Sequence, residues 1–274
     1  RGDIRDYNFL HNNTKKIDIV LHLAALIGIP YSYHAPESYI DTNTKGTLNI
    51  LNCALNNKIS QVIITSTSEV YGSAKKIPIF ENHSLNAQSP YAASKISADH
   101  LALSYYRSFN LPVTILRPFN CFGPRQSMRA IIPTILSQIL NKKNVKVGNL
   151  TPTRDFTYVE DTALAFLKAI DNKKTFGETI NIGNSFEISI KNIINVLKND
   201  FGYKFKVIID KNRIRPMKSE VMRLYSSNKK AKDILKWEPK YKGINGFKKG
   251  LGKTVKWLED YKKSNFYNSD NYIV

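Results

Sequence analysis

The sequence predicts an α/β fold, a doubly wound parallel sheet with a smaller mixed α/β region at its C-terminal side. Four apolar runs, at 17–25, 61–67, 112–119 and 179–183, are β-branched and nearly continuous, as strands buried on both faces should be. Helix-like stretches at 37–57 and 90–109 separate the first three, so strand and helix alternate as parallel crossovers require. The 274 residues, 42% hydrophobic and 23% charged, supply core enough for one large domain or two closely joined ones.

Each element follows from local signals. The run at 17–25 ends in His22-Leu23-Ala24-Ala25, and the next ends in TSTSEVYG (65–72), where hydroxyls precede the carboxylate of Glu69. That stretch is either a plain turn or part of an active site. The helix at 90–109 opens Ser89-Pro90, an N-cap with proline at the first helical position. After residue 122 the rhythm changes, with helices expected at 130–141, 160–171, 188–200 and 244–260. Residues 1–122 are therefore assigned to the sheet domain, with 153–186 returning to it. A substrate-binding region takes 123–152 and 187–262, and 263–274 is a loose polar tail.

Composition narrows the function classes. No apolar stretch approaches the roughly 20 residues that span a bilayer, and no secretory signal pattern is present. Cys53 and Cys121 have neither disulfide-framework nor metal-ligand spacing, so no metal is expected. The net charge of +19 invites a polyanionic partner, but the lysines are scattered beside Asn and Ile, with no arginine-rich or basic-aromatic motif. Nucleic acid is not the expected partner.

Tyr-x-x-x-Lys places a phenol and an ammonium one helical turn apart, where the cation favours the phenolate and lowers its pKa. The pattern occurs at Tyr71/Lys75, Tyr91/Lys95 and Tyr225/Lys229. Tyr71 precedes a turn glycine, and Tyr225 lies in a polar stretch far from any strand end. Only Tyr91 opens a capped helix, one crossover after Thr67 and Glu69, so these segments can meet at the carboxyl edge of the sheet. No glycine-rich dinucleotide turn, GxGxxG or GxxGxxG, is present.

GDIRD (2–6), HLAA (22–25), DTNTKGT (41–47), TSTSEVYG (65–72), YAASK (91–95), RPFNCFGP (117–124), RDFTYVED (154–161) and RIRP (213–216) run in one order along the chain. With them the chain resembles the extended short-chain dehydrogenases/reductases, in the NAD-dependent epimerase/dehydratase branch with its Rossmann sheet. The resemblance implies NAD as cofactor, contacted by Asp3, Ile4, Leu23, Ala24, Ala25, Thr42, Tyr91 and Lys95. It implies that Tyr91 takes the proton of a sugar 4-hydroxyl, that Lys95 holds the nicotinamide ribose and tunes Tyr91, and that Thr67 binds the 4-oxygen. Asn120, Arg154 and Arg215 fall at positions that hold the substrate near its diphosphate. The missing glycine turn implies that a first strand–helix–strand unit of about sixty residues precedes Arg1, and that this chain alone binds NAD poorly.

Glu69 stands where epimerases of this branch are typically not acidic. An acid there implies chemistry at C5 and C6: with C4 a ketone, the C5 proton is acidic and a carboxylate can remove it. Ser68 is neutral, so in a dehydratase Glu69 removes that proton and also protonates the departing hydroxyl, with Ser68 assisting. UDP-glucuronate decarboxylases share STSEVYG, so the motif leaves dehydration and decarboxylation open, and a non-catalytic dinucleotide-binding protein is the third alternative. Longer stretches such as 24–39 and 108–135 are most similar to the 4,6-dehydratases of bacterial legionaminic-acid biosynthesis, acting on UDP- or GDP-N-acetylglucosamine. In that branch Pro30 to His34 line the sugar pocket, with Ser32 the substrate contact and His34 structural. The lack of a signal pattern makes a cytoplasmic chain the expectation, and the resemblance further implies a homodimer joined through the helices at 41–57 and 91–109.

Overall fold

The computed structural model describes residues 1–262. Helix α1 (Tyr7–Asn13) leads to strand β1 (Ile19–His22), then α2 (Ile29–His34), α3 (Pro36–Tyr39), a π-helical stretch at Ile40–Lys45 and α4 (Gly46–Asn56). Strand β2 (Gln61–Thr65), α5 (Pro90–Phe109) and β3 (Val113–Pro118) follow, and then β4 (Asn120–Phe122), α6 (Ile131–Leu140), β5 (Val145–Val147) and β6 (Thr153–Tyr158). The remainder comprises α7 (Val159–Ala169), β7 (Thr179–Ile182), β8 (Glu187–Ser189), α8 (Ile190–Asn199), β9 (Val207–Ile209), α9 (Lys229–Leu235) and α10 (Gly243–Lys262).

The main sheet has the order β1-β2-β3-β7, every pair parallel. Val62 and Ile64 of β2 face a core with Leu10, Ile50, Leu51 and Ala102 from α1, α4 and α5. Ile63 points the other way, into a core with Ala165 and Phe166 of α7 and with Leu235 and Trp237. Burial on both faces is why the strand reads as an unbroken apolar run. Helix α5 begins and ends where expected: Ser89 Oγ accepts from the Ala92 amide, and Asn110 closes the helix in the left-handed conformation, φ +55°.

A second core gathers Phe122, Phe156, Tyr158, Ile193, Leu197, Phe247 and Leu251 beneath β4, β6 and β8, in that order in a three-stranded sheet. Strands β5 and β9 pair separately.

The structure redraws the expected domain limits. Strand β4, inside 1–122, and β6, inside 153–186, pair with each other in the second sheet, and of 153–186 only β7 rejoins the main sheet. Residues 229–237, assigned to the substrate region, instead pack beneath the main sheet, where the Trp237 indole donates to Asp161 O at 2.9 Å. These pairings are between distant segments and leave no local periodicity to read. The tail at 263–274 lies outside the described residues. Among the described residues, no helix is long and apolar enough to cross a membrane.

Candidate active site

The carboxyl end of β2 and the first two turns of α5 carry the reactive groups. Thr67 is extended, φ −157°, and caps a short 3-10 turn at Ser68–Tyr71, its Oγ1 accepting from the Glu69 amide at 3.2 Å. Its hydroxyl hydrogen is thereby free to favour the ionised form of the Tyr91 phenol. Thr67, Ser68, Glu69, Tyr91 and Lys95 are all buried and brought together. The other two Tyr/Lys pairs are not built this way. Tyr71 is buried against Arg117 and Asn181, while Lys75 lies beyond Gly72, whose φ of +63° breaks the turn. The Tyr225 segment is not remote from strand ends, as its sequence position suggested. It bridges Ile79, and Ser226 presses on Gly183 just past β7.

Burial pushes the Tyr91 phenol up, with Thr67 opposing and Glu69 adding to the rise. The Lys95 ammonium donates to Thr65 O at 2.6 Å, anchoring the lysine across the end of β2.

Asn43 was not singled out in the sequence, yet it joins the parts. Its Oδ1 accepts from the Leu26 amide at 2.8 Å, and its Nδ2 donates to Leu26 O and to Ser94 Oγ, each at 2.9 Å. Ser94 Oγ in turn donates to Tyr91 O at 2.7 Å. The loop after β1 is thus tied to the turn that carries Tyr91. Asn43 sits in the π-helical stretch, a deformation often found at functional sites. Tyr39 packs edge-on against Tyr91 at 6.2 Å, and Tyr31 packs on Tyr39 at 6.1 Å, forming an aromatic wall. Ser32, expected to contact the substrate, is fully buried and its hydroxyl donates to Ile29 O at 2.7 Å, so in this structure it presents no surface to a ligand.

Arg154 enters from β6. Its Nε lies 3.9 Å from Glu69 Oε1, and its Nη2 3.4 Å from Glu220 Oε1. Arg215 Nη1 reaches the same Glu220 oxygen at 3.9 Å and has no hydrogen-bond partner. Charges therefore alternate Glu69, Arg154, Glu220, Arg215. Asn120 Oδ1 is buried without a partner, a polar atom for which a ligand is the natural complement. Next to Arg154, Asp155 is enclosed by the Ser226 amide and hydroxyl and by the amides of Asn184 and Ser185, which ties β6 to the segment after β7.

The expected cofactor residues lie along the opposite side. Asp3 is exposed, and Arg5 grips its carboxylate and lowers its pKa to about 2. Ile4 packs on Gly46, where an added Cβ would come within 2.5 Å of the isoleucine Cδ1. Asn49 Nδ2 holds Ile4 O and Arg5 O, so this segment is fixed on α4. Leu23 and Ala24 are exposed and Ala25 and Thr42 partly so. An ionised carboxylate suits ribose hydroxyls, the exposed Leu23 suits the face of a heterocycle, and the Lys95 ammonium suits a second ribose. The donor set fits a dinucleotide.

The family profile described as GDP-mannose 4,6 dehydratase matches residues 1–250. The chain is 32% identical to the human dTDP-D-glucose 4,6-dehydratase, over 99% of this chain and 76% of that one. It is also similar to the solved structure of a UDP-glucuronic acid 4-epimerase from Bacillus cereus in complex with UDP-glucuronic acid and NAD. The identity is 30%, the TM-score 0.87, and 95% of this chain and 81% of that chain are covered. For a dTDP-glucose 4,6-dehydratase from Streptomyces venezuelae with NAD bound, the figures are 26%, 0.87, 96% and 80%.

Proposed function

Since the chain belongs to the GDP-mannose 4,6-dehydratase family of NAD-dependent nucleotide-sugar dehydratases and epimerases, we propose that it is a nucleotide-sugar 4,6-dehydratase. Its substrate is UDP- or GDP-N-acetylglucosamine, and its product the 4-keto-6-deoxy sugar. The observation that carries this reading is Glu69, a buried carboxylate whose amide is capped by Thr67 Oγ1 and whose charge acts on the buried Tyr91 phenol.

When bound, NAD supplies the hydride acceptor for C4 and the hydride donor for C6; Asp3, Ile4, Leu23, Ala24, Ala25, Thr42 and Lys95 would hold it. Tyr91 takes the proton of the 4-hydroxyl as C4 becomes a ketone, while the Thr67 hydroxyl holds the 4-oxygen. The ketone acidifies the C5 hydrogen, which Glu69 removes as a proton. Glu69 then gives that proton to the C6 hydroxyl, which leaves as water, with Ser68 beside it; as C6 is reduced, C5 takes up a proton from solvent, which balances the one that Tyr91 took from the 4-hydroxyl. Arg154 and Arg215 pair with the substrate diphosphate, for which guanidinium groups are suited, and Asn120 completes that end. A nonulosonic-acid or other surface-glycan route would use such a product. The enzyme is a cytoplasmic homodimer on this reading, joined through α4 and α5.

Turnover of a panel of nucleotide-sugars by the full-length enzyme, followed by mass spectrometry, tests the proposal. Loss of water from a nucleotide-linked N-acetylglucosamine is expected. Loss of carbon dioxide from UDP-glucuronate would make it a decarboxylase, and a product of unchanged mass an epimerase.

A further inference from the structure

Gln88, one residue before the serine that caps α5, is bonded at both ends of its side-chain amide. Its Oε1 accepts from the Ser73 amide, two residues past the 3-10 turn that carries Glu69. Its Nε2 donates to Lys218 O at 2.9 Å and to Glu220 O at 3.4 Å, in the segment that follows Arg215. The Gln88 carbonyl accepts from the Ser219 hydroxyl, which in turn accepts from the Tyr33 hydroxyl of α2 at 2.6 Å. Ser73 Oγ reaches Glu220 O only at 3.5 Å, so the Gln88 amide is the closer bridge between the two segments. Gly72 makes room for it: its φ is +63°, and a Cβ there would lie 2.6 Å from Gln88 Oε1.

These bonds close a ring around the site. One arc is ionic and runs from Glu69 through Arg154 to Glu220. The other is made of neutral hydrogen bonds. The Gly72 amide donates to Glu69 O at 3.2 Å, the next residue is held by Gln88, and Gln88 holds the backbone of residues 218 and 220. A diphosphate paired with Arg154 and Arg215 competes with Glu69 and Glu220 for the guanidinium groups, so the ionic arc loosens when substrate binds. The neutral arc offers no charge to the diphosphate and stays closed. We propose that Gln88 is a positioning residue that ties the Glu69 turn to the segment bearing Arg215, so that Glu69 keeps its place at the sugar once Arg154 turns to the diphosphate. Nucleotide that immobilises residues 215–220 then steadies the Glu69 turn through the same amide. Glutamine suits the position because its side chain accepts at one atom and donates at the other, whereas a carboxylate only accepts. This inference rests on the roles proposed for Glu69, Arg154 and Arg215.

Gln88→Glu keeps an acceptor for the Ser73 amide and puts an oxygen where a donor faced Lys218 O and Glu220 O. Hydrogen–deuterium exchange of the full-length enzyme, with and without saturating UDP or GDP, reads the tie directly. In the wild type, nucleotide is expected to slow exchange at 215–220 and to slow the Ser73 amide about tenfold. In Gln88→Glu the slowing at 215–220 should remain, because both arginines are intact, while that at Ser73 should be lost. A single turnover separates positioning from general damage. Oxidation at C4, followed by NADH absorbance, should keep its rate within about twofold in the variant, while water loss slows about tenfold. The proposal is overturned if nucleotide leaves Ser73 unaffected in the wild type or slows it equally in the variant. It is overturned also if C4 oxidation and water loss slow alike, or if water loss keeps the wild-type rate. Gln88→Met, of the same length and without charge, takes the place of Gln88→Glu if that variant does not fold, and the same outcomes decide. Loss of carbon dioxide, or a product of unchanged mass, from the wild type would overturn the functional reading separately, because the exchange measurement needs only the nucleotide.

Discussion

Tyr91 and Glu69 are neighbours at Thr67, but they act on different atoms of the sugar, and substitutions should separate them. Tyr91→Phe removes the acceptor of the 4-hydroxyl proton, so every later event stops; a loss of about 10²–10⁴-fold in kcat is expected from turnover assays. Glu69→Gln keeps C4 chemistry and loses proton removal at C5. In deuterated water the wild-type enzyme should introduce deuterium at C5 of the product, while in Glu69→Gln deuterium uptake and water release should slow together by about 10²–10⁴-fold. Normal water loss in Glu69→Gln would assign the base to another residue. Both positions were legible in the sequence because the chemistry demands an acid and a Tyr/Lys pair at strand ends. Asn43 was not, since its importance lies in partners 17 to 51 residues away.

Among the elements, α5 is the one whose sequence and structure agree most closely. Serine caps it, proline fills its first turn, and the reactive Tyr91 comes directly after. Ser89→Ala should cost about 1 kcal/mol of stability, measured by denaturant unfolding, through loss of the hydrogen bond to the Ala92 amide. Because that amide lies in the turn presenting Tyr91, kcat should fall modestly as well, with substrate affinity less affected. The stretch from Pro36 to Asn56 shows the limit of such reading. Its helical character was evident, but the π-helical segment at Ile40–Lys45 was not, since that register has no sequence period of its own. Asn43 owes its place to that segment.

For the molecule as a whole, the parallel sheet was legible because burial on both faces writes itself into continuous apolar runs. The second sheet was not: β4 and β8 are three residues each, and the pairing of β4 with β6 joins residues more than thirty positions apart. The fold also carries a pH dependence that no single element reveals. His22 is buried where β1 meets α4, its Nε2 3.0 Å from Thr47 Oγ1. Thr47 gives its own hydrogen to Asn43 O, so the imidazole donates through Nε2 and is neutral. Burial, with Lys95 adding to it, lowers the His22 pKa from 6.5 to about 4. An unfolded chain takes up a proton below pH 6.5 that the folded one refuses, so this contribution is complete above that value. It is lost as the pH falls towards 4, by up to about 3 kcal/mol. His22→Gln should flatten that slope in urea titrations run between pH 7 and pH 4.

The clasp made by Asn43 has a kinetic consequence for the loop after β1. Leu26 lies among exposed residues, yet its amide is held by a side chain that also grips α5 through Ser94. In hydrogen–deuterium exchange this one amide should be slow while its loop neighbours exchange fast. Its rate should match that of the first turn of α5, because one bond-breaking event frees both. Leu26 is then a reporter placed on one side of the site that records the opening of the other.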